Sequence, residues 1–187
     1  MKMLFAIILM AMQDVAMANG GIDFELIVSP LEWKVPSDKE TFPILIVWKV
    51  KNTTDHRLIL PIGSSTKLEL IDSNGKRVPG GESRDGMIPF SDHDYRLIKP
   101  RWSTYVSAGD LSLYSINHEI FIGGQSARGG WIDYGPIAPG KYKLRCIFST
   151  DEDPSDFAKK HWSLKNLWLE NLWLGQFTSA WIPIVIR

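Results

Sequence analysis

The stretch "KYKLRCIF" (141–148) constrains the fold more than any other. Tyr142, Leu144, Cys146 and Phe148 fall on one side of an extended chain, and Lys141, Lys143 and Arg145 on the other. A period of two belongs to a β-strand with one face buried and one wet. Such a strand cannot exist alone, because its apolar face must be covered by a second layer.

The same period recurs along the chain. In "IDFELIVS", Ile22, Phe24, Leu26 and Val28 share a face, with Asp23 and Glu25 opposite. In "PILIVWKVKN" the shared face carries Ile44, Ile46, Trp48 and Val50. "KLELIDSNGKRV" alternates Leu68 and Leu70 with Lys67 and Glu69, then offers Asn74-Gly75 as a hairpin turn. "LSLYSI" and "EIFI" are rich in strand-forming residues, and "AWIPIVIR" places Ala180, Ile182, Ile184 and Ile186 together. Pro183 lacks a ladder donor, so that last strand is expected at an edge or a bulge. Turn-forming loops separate the strands at 63–65, 79–86, 123–130 and 138–140. Seven to eight short strands in one unit predict an all-β antiparallel sandwich. Residues 153–175 depart from the alternation, and Asp153, Pro154 and Asp156 read as the start of a short helix near 155–165.

The first residues set the compartment. Lys2, an apolar run from Met3 to Met12 and Ala16-Met17-Ala18 form the three parts of an export signal over 1–18. The run is shorter than the roughly 20 residues a membrane helix needs. The expected mature chain, 19–187, is therefore a single domain without a transmembrane segment, periplasmic or secreted. Its formal net charge of +0 gives no general attraction to nucleic acid. One cysteine, Cys146, precludes an internal disulfide and is expected as a small buried residue.

Several stretches approach known chemical motifs and miss them. "APGKY" has Gly140-Lys141 but neither the earlier glycine nor the following hydroxyl of a phosphate loop. "GQSARG" carries Arg128 where a nucleophile elbow requires glycine. His118-Glu119 lacks the second histidine of a zincin, and "DEDPSD" lacks the glycine of a calcium loop. "SDHDYR" crowds His93 with aspartates too close in sequence to converge on one ion. No catalytic residue, metal ligand or cofactor is assigned, and the chain is not expected to be an enzyme.

Longer patterns resemble a known architecture. "WKVKNTTDHRLILPIGSSTKLELIDSNGK", "YVSAGDLSLYSI", "IAPGKYKLRCIFST" and "LWLGQFTSAWIPIVI" resemble successive strands of exported bacterial immunoglobulin-like domains. A similar arrangement occurs in the intracellular proteinase inhibitor family of bacilli. The resemblance implies an immunoglobulin-like sandwich, and places Tyr142 where such folds tie a tyrosine back to the preceding loop. It departs from antibody domains, since "ILIVWKVKN" contains no cysteine and Tyr142 stands four residues before Cys146.

Aromatic surplus supplies the binding candidates. Of eight tryptophans, Trp48 and Trp181 suit strand cores, leaving Trp162, Trp168 and Trp173 as an exposed ledge for a protein partner or for sugar rings. Arg128, set among glycines in "GGQSARGG", is a second recognition candidate. A non-catalytic protein-binding module is the expected function. A protease-inhibitor-like module, using loops 79–90 and 123–130, and a carbohydrate-binding module are its alternatives. Asn52-Thr53-Thr54 meets the glycosylation sequon and is expected to end a strand and open a turn.

Overall fold

A computed structural model describes residues 21–37, 40–62, 65–83, 95–126, 130–150 and 171–187. The export signal over 1–18 and the helix near 155–165 lie outside these residues. Among the described residues there is no helix, hence none long and apolar enough to cross a membrane.

The chain is all-β, with fourteen strands among the described residues where the sequence reading expects seven to eight. In order they are β1 (Ile22–Ser29), β2 (Glu32–Trp33), β3 (Thr41–Asn52), β4 (Leu58–Pro61) and β5 (Ser65–Asp72). Then come β6 (Gly80–Ser83), β7 (Tyr95–Ile98), β8 (Ser103–Ser107), β9 (Gly109–Ile116) and β10 (Glu119–Ser126). The last four are β11 (Trp131–Ile137), β12 (Gly140–Ser149), β13 (Gln176–Thr178) and β14 (Ile182–Ile186). The extra strands are mostly pieces of two to five residues, too short to display a period of two.

Two curled sheets share one core. The first runs β1-β3-β9-β10-β11-β6, with β8 continuing β9 along β3. In the second, β5 flanks β12 on one side, and β13 and β14 flank it on the other. All pairings within these sheets are antiparallel except β14 with β2, which joins the end of the chain to the segment after β1. A separate β4–β7 ribbon carries Leu58 and Ile98 into the core.

The alternating residues do what their period requires. Ile44, Ile46, Trp48 and Val50 are buried from β3, and Tyr142, Leu144, Cys146 and Phe148 from β12. Rings join the sheets: Phe24 lies 5.3 Å from Phe148 and 4.9 Å from Phe177, and Trp48 meets Phe148 edge-on. The Tyr142 hydroxyl donates to the carbonyl of Ala138 at 2.6 Å, the backward tie expected of this tyrosine. Pro183 also has a clear place. Val185 and Arg187 donate to Leu31 and Trp33, so position 183 turns its nitrogen to the same flank, beyond the start of β2. The missing donor thus falls on an unpaired edge.

Turn chemistry accounts for the rest. Asp72 accepts from the amides of Asn74 (2.8 Å) and Lys76 (2.9 Å), while Gly75 takes φ 83°. Asn117 (φ 51°) and His118 (φ 65°) join β9 to β10 as a two-residue loop with both residues left-handed, the type I′ geometry that matches strand twist. His118 is therefore a turn residue.

Cys146 is fully buried and free, and burial pushes its thiol far up from the ordinary range. In the native protein it should fail to react with Ellman's reagent over hours, and react within minutes in denaturant. Rapid native labelling would overturn the register of β12.

Candidate functional site

The face of the first sheet turned away from the core is ordered by the register of β9, β10 and β11. Asp110, Ser112 and Tyr114 on β9 oppose Gln125, Gly123 and Phe121 on β10. Gln125 and Gly123 in turn oppose Trp131 and Asp133 on β11. The central place of this grid belongs to a glycine, and its neighbours use the space. A Cβ at Gly123 would stand 2.8 Å from the Tyr114 ring, so that ring crosses the strand where a side chain is missing. Its hydroxyl then reaches Asp133 at 2.9 Å. Phe121 lies across Gly135 in the same manner, stacked on Tyr114 at 5.7 Å. The two rings tile the sheet and cover glycine backbone, which stabilises a strand pair otherwise poor in side-chain contacts.

Burial, with the Asp133 carboxylate as a second cause, raises the Tyr114 phenol to about 12. The neutral phenol is the form the fold favours, so its contribution is intact below the usual tyrosine range and lost between about 10 and 12. Burial raises the Tyr142 phenol as well, so an ultraviolet titration should show more than one late phenol. Of these, Asp133→Asn moves only that of Tyr114 down, and Gly123→Ala moves it down further by displacing the ring. A titration unchanged in both variants would break the assignment.

Beyond the tiled rings the face becomes open. Trp131 is 52% exposed at the end of the β10–β11 connection, beside Gln125 and two residues before Asp133. Leu45, one step beyond the Ile44–Leu111 pair, is exposed at the other end of the same cross-strand row. Trp102 is the other exposed tryptophan among the described residues, with the Lys99 ammonium 5.0 Å from its ring centre.

The sequence candidates fare differently. Trp173 is 6% exposed and packs against Phe24 (5.1 Å) and Phe148 (6.0 Å), which makes it part of the core. Trp162, Trp168 and Arg128 lie outside the described residues. Trp181 is half-buried beneath the Arg145 guanidinium, 4.5 Å from its ring centre. Among the described residues no three His, Cys, Asp or Glu side chains converge as metal ligands would. Trp131 and Trp102 are exposed tryptophans that do not figure among the sequence candidates. A signal for Trp131 exists, since Ile132 and Tyr134 point inward and alternation sends Trp131 and Asp133 out.

No protein-family model, curated protein or solved structure matches the chain.

Proposed function

We propose that the chain is a non-catalytic, exported immunoglobulin-like module that recognises another protein. Strand order supports the architecture: β1, β3 and β8 lie in one sheet, and β5, β12 and β14 in the other. The tie from Tyr142 to Ala138 supports it as well. The observation that carries the function is the exposed Trp131, flanked by Gln125 and Asp133 on a sheet face stiffened by two stacked rings. A rigid aromatic with polar groups beside it is the usual core of a protein-recognition patch.

The test is affinity capture by the tagged mature chain from its own envelope, followed by titration of the recovered partner. Trp131→Ala should weaken that partner roughly thirtyfold, the fold-change of a hot-spot loss of about 2 kcal/mol. Equal binding by Trp131→Ala, or no specific partner for the wild type, would count against the reading. A fluorescence response to glycans in place of proteins would move it to carbohydrate binding.

A further inference from the structure

The outer face of the second sheet carries a row of cations that overall neutrality conceals. Lys141, Lys143 and Arg145 leave β12 on the side opposite its buried residues. Strand rise spaces them about 7 Å apart. Across the register, Ile147 opposes Lys67 of β5, so Lys67 extends the row by one more step. Four cations thus span about 20 Å in a chain whose formal net charge is +0.

Among the described residues, the carboxylates of this face are already engaged: Glu32, which opposes Val185, is held by Arg187, and Glu69 lies within the row itself. Glu69 receives Arg145 at 2.6 Å and Arg77 at 3.1 Å, two guanidinium groups for one charge. Lys67, Lys141 and Lys143 are exposed and have no ion-pair partner among the described residues. Partly apolar ground lies alongside: Ile71 and Pro183 flank Lys143, and Val185 flanks Lys141.

We propose that this row is the docking line for an extended acidic segment of a protein partner, lying along β12. The proposal rests on the reading of the chain as a protein-binding module. An extended peptide places alternate side chains about 7 Å apart, so Asp or Glu at every second position meets successive cations. The face does not suit other polyanions equally. Single-stranded nucleic acid needs aromatic platforms, and the aromatic side chain on this face among the described residues, Trp181, already has Arg145 over its ring. A membrane surface needs several apolar side chains to insert together, and of the large exposed ones among the described residues Leu174 alone adjoins this sheet, beyond β13 at the end remote from Lys141.

Fluorescence anisotropy of the mature chain tests this with a labelled peptide carrying Glu at alternate positions in a Ser/Thr background. Binding should weaken at least tenfold in Lys141→Glu/Lys143→Glu, and about threefold in the milder Lys141→Gln/Lys143→Gln. It should persist in Lys51→Glu/Arg96→Glu, which changes charge equally elsewhere. A peptide of the same composition with its Glu residues in one block should bind more weakly, and added salt should weaken all of them. Equal losses in both charge-reversal variants would overturn the proposal. So would preferential binding of an oligonucleotide, a sulfated polysaccharide or anionic phosphatidylglycerol vesicles. If Lys141→Glu/Lys143→Glu still holds a partner that depends on Trp131, the row is wrong and the module reading survives. If the wild type captures no protein at all, the module reading fails, and the peptide titration still judges the row.

Discussion

Asn52→Ala should lower stability by about 3–4 kcal/mol, with a fall in melting temperature of roughly 10 °C for a domain of this size. Asn52 ends β3 and is fully buried. Its side-chain amide donates to the carbonyls of His56 (2.8 Å), Ile98 (3.1 Å) and Lys99 (3.2 Å). Its oxygen accepts from the amide (2.9 Å) and hydroxyl (2.7 Å) of Thr54. One side chain thereby satisfies groups from two chain segments, fastening the end of β7 to the turn after β3. Alanine would leave several of them without partners, each buried one costing about 1–3 kcal/mol. Asp55→Ala, three residues along at a wet position, should change stability by less than about 0.5 kcal/mol. Urea denaturation with an unchanged m-value is the measurement. A cost below about 1 kcal/mol for Asn52→Ala would show that water replaces these bonds. The same geometry withholds Asn52 from glycosylation in the folded chain, because the atom to be modified is enclosed.

How far the fold could be read in advance follows from what strand alternation encodes. It fixes which side chains of β1, β3 and β12 face the core, and those registers agree with the burial of Leu26, Trp48 and Leu144. It says nothing of strands such as β2 and β13, whose existence depends on partners that fold against them. Trp173 illustrates the limit for the site. Its local sequence is irregular, and only the approach of Phe24 from the other end of the chain makes its place a core position. Asn117-His118 was hidden for a different reason, since the type I′ turn usually announces itself by a glycine that is absent here. Row-like features such as the cations of β12 and Lys67 were half legible. Alternation sends Lys141, Lys143 and Arg145 outward, but only the pairing of β5 with β12 adds Lys67.

Glu69→Ala should cost about 3 kcal/mol, although alternation places Glu69 on the wet side of β5. The residue does face outward, yet it is only 7% exposed because Arg145 and Arg77 cover it. One carboxylate oxygen accepts from Nε of Arg145 at 2.6 Å and lies 2.6 Å from its Nη2, and the other stands 3.1 Å from Nη2 of Arg77. Removing the carboxylate leaves Arg145 against Trp181 with no counter-charge, while Arg145→Met leaves a covered carboxylate with only the exposed Arg77. Each single change breaks a largely desolvated pair, and each should cost about 3 kcal/mol. Glu69→Leu/Arg145→Met removes both charges together and should return to within about 1 kcal/mol of the wild type. The difference measures a coupling of several kcal/mol by double-mutant cycle in urea. Arg77→Ala, whose side chain is 69% exposed, should cost less than about 1 kcal/mol. Additive single costs in the double variant would mean that the pair contributes nothing by pairing. Near recovery would instead show that this ion pair is expendable for stability, so that its service is to hold Arg145 rigidly in line with Lys141 and Lys143.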